Sequence, residues 1–228
     1  MKTAAGLAKI LDRLEKHYGK LKPLPPQDPY EMVIYANCGY PANDSTCAKG
    51  FDALKKRVGV RPQEILAAPD QELAAILRLG GIVPELRAVR LKEIAARVER
   101  KFAGDLAAVL RGPLAEARKA LKEFPTIGDP GAEKILLFTK TAPVAAVPSN
   151  CVHVPLRLGF GTAYKTYAKD YRSAQDAIRA ALPEACDAQL RAYLLLQRHG
   201  QELCKRSRPK CELCPVTAAC RFFQATFC

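Results

Sequence analysis

The last 25 residues hold five of the nine cysteines. In CKRSRPKCELCPVTAAC, Cys204, Cys211, Cys214 and Cys220 are separated by six, two and five residues. Four thiolates this close can ligate one centre, and a tetrahedral set of sulfurs suits either zinc or a cubane iron-sulfur cluster. Lys205, Arg206, Arg208 and Lys210 lie between the first two thiols, so a metal-folded loop would present basic side chains to an anion. Cys228 reads as a bystander. Cys38, Cys47, Cys151 and Cys186 sit among apolar or small neighbours and read as small buried hydrophobes.

A second stretch, FPTIGDPGAEKILLF (124–138), reads as a helical hairpin. LAEARKALKEF runs into Pro125, the chain turns through Gly128, and Asp129 as N-cap with Pro130 at the first helical position starts AEKILLF. A tight turn opening a helix is a ready phosphate site, with Thr126, Gly128 and Gly131 at the contact. The fragment also suits an ordinary helix-helix connection.

These stretches need elements to position them. Leu7, Ile10, Leu11 and Leu14 have helical spacing, in a helix ending by Gly19, and KPLPPQDP is a stiff connector. YEMVIYANCGY is apolar enough for a buried helix or strand. Helical segments then follow with short breaks: DSTCAKGFDALKKRVG, RPQEILAA, PDQELAAILRLGG, VRLKEIAARVERKF, GDLAAVL and the hairpin. Pro62, Pro69, Pro84 and Pro113 stand at or near helix starts, where a missing N–H costs little. TAPVAAVPSN is a loop, and helical pattern resumes to the cysteine cluster. The expected class is all-α.

Composition narrows the partners. The 228 residues are 49% hydrophobic, above the disordered range, and 36 Lys and Arg against 23 Asp and Glu give a formal charge of +13. A polyanion is the natural partner. No apolar run is long enough to span a bilayer and the N-terminus lacks a signal-peptide core, which predicts a cytosolic protein without membrane contact.

The six-two-five cysteine spacing resembles the C-terminal [4Fe-4S] loop of endonuclease III-like DNA glycosylases, in the helix-hairpin-helix superfamily. The hairpin resembles that superfamily's apolar-Pro-Gly-apolar-Gly turn, with Thr126 replacing the first Gly. PYEMVIYANCGYPANDSTCAKGF stands where the family has its Pro-Phe-Glu-Leu helix and base-stack probe, and VPSNCVHVPLRLGF where it has its catalytic loop. The resemblance implies a two-lobed helix-hairpin-helix glycosylase fold. Residues 29–138 would form a barrel-like domain ending in the hairpin, and 1–28 plus 139–228 a second domain carrying the cluster loop 204–220. It further implies a structural [4Fe-4S] cluster and a monomer, nucleoid-associated in a prokaryote. That monomer would bind double-stranded DNA, damaged or distorted, and flip a base into a cleft between the lobes.

Catalytic positions carried over by resemblance are vacant. The lysine nucleophile and following aspartate of bifunctional members align with Pro130 and Pro148, and the adenine-removing branch's glutamate with Ala36. Neither proline can attack a sugar carbon or balance an oxocarbenium charge. Pro41 replaces the probing glutamine, with Tyr40 beside it as the expected wedge or stacking surface. Nearby candidates for chemistry are Lys134, Asp129 and Asp44, the last expected to cap a helix. Ser149 and Asn150 can hydrogen-bond a phosphate, and His153 is expected to contact backbone. Three readings follow: a base-excision protein with non-standard catalytic residues, a catalytically silent lesion-binding module, and a zinc-stabilised basic protein contacting RNA.

Overall fold

The computed structural model describes residues 4–39 and 43–227, with backbone only for Ala4 and Ala5. The described residues form helices joined by short loops, without a β-strand. The chain divides into two units, Pro23–Ala142 and the pair Met1–Lys22 with Pro143–Cys228. No helix among the described residues is long and apolar enough to cross a membrane.

The discontinuous unit begins with α1 (Ala4–Tyr18), whose Leu7, Ile10, Leu11 and Leu14 are at most 2% exposed. The unit spanning Pro23–Ala142 follows with α2 (Pro29–Asn37), α3 (Asp44–Arg57), α4 (Pro62–Ala67), α5 (Asp70–Leu77), α6 (Pro84–Phe102), α7 (Leu106–Leu110), α8 (Leu114–Leu121) and α9 (Asp129–Phe138). The chain then returns with α10 (His153–Leu158), α11 (Tyr167–Ala181), α12 (Cys186–Glu202) and α13 (Arg221–Phe227). The apolar stripe of α1 joins Ile178 of α11 and Leu195 and Leu196 of α12 in one core. In the other unit α6 is central, packed against α2, α4 and α5, and buries Leu91, Ile94 and Val98.

Local chemistry explains several helix starts. Asp28, Asn43 and Asp105 accept the amides of Glu31, Thr46 and Ala108 at 2.8, 2.8 and 2.9 Å, satisfying donors the first turn leaves open. YEMVIYANCGY resolves as helix α2 because Asp28 caps it and Pro29 opens it. Pro84 similarly opens α6 ahead of VRLKEIAARVERKF. Two expected caps lie one residue off. Asn43 rather than Asp44 caps α3, and extended Gly128 rather than Asp129 precedes α9. Cys38, Cys47 and Cys151 are buried, whereas Cys186 at the start of α12 is half-buried.

One interior group has no apolar explanation. Arg87 on α6 is 1% exposed. Its Nη1 donates to the Cys38 carbonyl at 2.7 Å, Nη2 to those of Leu77 and Gly81 at 2.7 and 2.9 Å, and Nε to that of Ile82 at 3.0 Å. The guanidinium thus satisfies carbonyls just past α2, at the end of α5 and in the loop before α6, where helix dipoles also favour a cation. Gly80 belongs to the same knot, because a Cβ there would lie 1.7 Å from the Cys38 carbonyl oxygen. Replacing Arg87 by Leu strands four acceptors, and denaturant titration should show a loss of about 3–5 kcal/mol. A loss below about 1 kcal/mol would mean those carbonyls find other donors.

Candidate metal centre and nucleic-acid interface

The hairpin consists of α8, a turn over 122–128, and α9. Thr126 takes φ 67, a left-handed conformation that costs a β-branched residue about 1–2 kcal/mol. Asn37, the last residue of α2 and 2% exposed, holds it there. The Asn37 carboxamide accepts from Thr126 Oγ1 at 3.2 Å and donates to the carbonyls of Pro125 at 3.3 Å and Val33 at 3.0 Å. Ile127 and Phe124 are buried beneath the turn, while Thr126, Gly128 and Asp129 are exposed. A rigid turn therefore leads to an accessible helix N-terminus. Pro130 sits in its first turn and removes one N–H from the set.

The candidate catalytic side chains on this unit are engaged with one another or with neighbours. Asp129 is 2.6 Å from Lys122 across the turn, which offsets the negative charge it would turn toward a phosphate. Lys134, one turn deeper on α9, is 2.7 Å from Asp44 and 5.2 Å from the Phe138 ring centroid. With side-chain exposures of 20% and 16%, that pair ties α3 to α9. Gly131 is half-buried on the same first turn, and Ala36 is half-buried on α2. Tyr40 and Pro41 lie outside the described residues. Leu79, Ile82, Val83, Leu86 and Val89 instead display an exposed apolar tip, at which Val83 takes φ 50.

In the discontinuous unit, Cys204, Cys211, Cys214 and Cys220 all line one small pocket, closed by Leu158, His199, Phe222 and Phe223. Among the described residues no three His, Cys, Asp or Glu are gathered closely enough to hold a single metal ion. Burial raises the thiols of Cys204, Cys211 and Cys214, the last to about 11, with further contributions from neighbouring thiolates. His199 is 1% exposed, and burial lowers its imidazole to about 4. Its Nδ1 lies 3.0 Å from the Tyr18 hydroxyl and its Nε2 3.7 Å from Cys214 Sγ.

Two further side chains hold the basic loop. His153 donates from Nε2 to the Cys204 carbonyl at 2.7 Å. Arg157 reaches the carbonyls of Lys205 and Arg206 at 2.7 and 2.8 Å and approaches Cys204 Sγ at 3.6 Å. With their carbonyls fixed, Lys205, Arg206 and Arg208 remain exposed, Arg208 at φ 63. Ser149 and Asn150 are also exposed, in a 3-10 turn after buried Pro148. Asn37, Arg157 and His199 are the site residues that sequence reasoning missed. Their partners are up to 181 residues away, so no local spacing marks them.

No protein-family model matches the chain. It is 25% identical over 197 residues to a thymine-DNA glycosylase of Aeropyrum pernix, covering 86% of this chain and 83% of that one. Over 164 residues it is 25% identical to a thymine/uracil-DNA glycosylase of Pyrobaculum aerophilum, covering 72% and 67% respectively. A solved structure of endonuclease III trapped covalently on DNA superimposes with a TM-score of 0.77 at 21% identity, covering 99% of both chains. The chain therefore has the helix-hairpin-helix fold of endonuclease III.

The strained turn supplies a direct test of this geometry. Asn37→Leu should cost about 1–3 kcal/mol, because it leaves the Pro125 carbonyl and Thr126 hydroxyl without their partner. Thr126→Gly removes the left-handed strain and the hydroxyl together. A double-mutant cycle on these sites should give a coupling of about 1 kcal/mol in chemical denaturation. Strict additivity would contradict the restraint.

Proposed function

We propose that this chain, built on the endonuclease III fold, is a base-excision protein that binds damaged or distorted duplex DNA and releases a base without cutting the strand. The observation that carries this reading is the hairpin, whose left-handed Thr126 is held by Asn37 so that the α9 N-terminus stays exposed. Backbone at Thr126, Gly128 and Gly131 would meet one phosphate. Ser149, Asn150, Lys205, Arg206 and Arg208 would meet others. Ile82 and Val83 form an apolar tip of the kind that enters a base step. The similar archaeal proteins are named for thymine and uracil, which makes a mispaired thymine or uracil the first substrate to test.

Cys204, Cys211, Cys214 and Cys220 would hold a [4Fe-4S] cluster, a reading supported by the common pocket that all four thiols line and by their six-two-five spacing. Such a cluster would supply a structural core for the loop. The chain's own residues do the positioning: Arg157 and His153 fix the loop's carbonyls, and His199 sets its Nε2 3.7 Å from Cys214 Sγ.

For base release, Asp44 is the carboxylate that can balance a developing oxocarbenium charge, with Lys134 keeping it oriented. Water would bond to C1′ as the base leaves with the glycosidic electron pair and takes a proton. A catalytically silent lesion-binding module is the second reading. It is favoured by the pairs Lys134–Asp44 and Lys122–Asp129, which engage the candidate side chains with cations or carboxylates of the protein itself.

Incubation with duplexes carrying thymine-guanine mismatches, uracil, or oxidised or alkylated bases, followed by alkali, should reveal base release from at least one. Asp44→Asn should lower that rate on the order of 100-fold with duplex affinity retained. If every lesion survives while binding is intact, the silent module is correct. Cys211→Ser should lose the cluster and much of the DNA affinity, whereas Arg208→Ala should lose affinity and keep the cluster. Wild-type binding by both would remove the scaffold role. Affinity should also fall steeply between about 50 and 200 mM salt.

A further inference from the structure

A larger cavity in the unit that carries the thiols has no ligand in the roles above, which use only its edge at His153, Arg157 and Arg206. It measures about 780 Å³ and lies between the 161–167 loop, α10, α13 and Arg206. That volume is within the range of small-ligand sites, about 300–1,000 Å³. Its walls combine cations and aromatic rings. Lys165, Arg206 and Arg221 line it. Tyr164 and Tyr167 line it as well, 53% and 48% exposed. Phe222 completes the floor, with the Arg157 guanidinium 4.6 Å from its ring centroid. The lining carboxylate, Asp170, accepts the backbone N–H of Tyr164.

The loop forming one wall is firmly built. Gly161 takes φ 102, and a Cβ there would come within 2.8 Å of the Ser173 carbonyl oxygen, so the loop lies directly on α11. Thr162 donates its N–H to Ser173 Oγ at 2.7 Å. These contacts hold Tyr164 and Tyr167 at the cavity instead of leaving them on a slack surface loop. Through Arg157, which grips the carbonyls of Lys205 and Arg206, the cavity is continuous with the basic loop between the first two thiols.

We propose that this cavity binds a single nucleotide unit, its phosphate on Lys165 and Arg221 and its base against Tyr164 and Tyr167. Both halves of that ligand are needed. A simple anion or sugar phosphate would leave two tyrosine rings wet, and an apolar ligand would strand Lys165 and Arg221, whereas a nucleotide satisfies both. The source is either a nucleotide of a single strand leaving the duplex or a free mononucleotide. The assignment does not rest on base excision.

The test uses the holoprotein and a short 5′-phosphorylated oligothymidylate carrying a 3′ fluorophore, read by anisotropy, with unlabelled thymidine 5′-monophosphate as competitor. The double substitution Tyr164→Ala with Tyr167→Ala should weaken oligonucleotide binding at least about tenfold. Arg221→Gln should weaken it several-fold. Affinity for intact duplex and the visible absorbance of the cluster should stay at wild-type values in both. Competition by the mononucleotide at concentrations comparable to the oligonucleotide identifies the free ligand, and its failure to compete identifies the strand. Unchanged oligonucleotide affinity in both variants would overturn the proposal. So would a parallel loss of duplex affinity, which would make the cavity part of the duplex contact surface.

Discussion

Side-chain donors that satisfy backbone carbonyls are the constraint on which the structure depends, and buried Arg87 is the strongest instance. Short helices leave many carbonyls open at their C-terminal ends, and burying them without donors costs about 1–3 kcal/mol each. Arg87 answers four of them. Asn37 does the same for Val33 and Pro125 at the hairpin, and Arg157 and His153 for Cys204, Lys205 and Arg206 at the cysteine loop. Each functional segment is an irregular piece of backbone fixed from behind by one or two such side chains. Its outward face is left free to meet a ligand.

The same device explains how strain persists where it is useful. Thr126 and Arg208 both take positive φ without the freedom of glycine. Asn37 restrains Thr126, and the carbonyl contacts of Arg157 hold the loop shortly before Arg208. Backbone conformations of this kind survive when their surroundings over-determine them, and they cluster at binding sites. The ion pairs on the hairpin belong to the same arrangement. Lys122 offsets Asp129 at the helix start, and Lys134–Asp44 ties α3 to the hairpin's second helix.

The parts legible in the sequence were those written locally. Helical spacing located α1, proline placement marked the starts of α4 and α6, and the turn FPTIG announced the hairpin. The cysteines were legible because their spacing brings all four around one pocket. Caps were misplaced by one residue at Asp44 and Asp129, since a carboxylate at either position can serve the helix or a lysine. Both serve a lysine here. Arg87, Asn37 and Arg157 were not legible, because an arginine on a helix or an asparagine at its end looks solvated until the distant carbonyls it serves are known. The cavity beside the cysteine loop was equally hidden, as Tyr164 and Arg221 come from distant segments that line it together only once the chain is folded.

Pro130, which by the family resemblance takes the place of a lysine nucleophile, offers neither a nucleophile nor an N–H. Lys134, the nearby amine on the same helix, is paired with Asp44. Under the proposed base-excision reading, base release proceeds by water attack, without a covalent link between protein and sugar. Borohydride treatment during turnover on a reactive lesion duplex tests this most directly. Water attack gives a released base and no protein trapped on DNA, and a borohydride-stabilised protein-DNA adduct would contradict it.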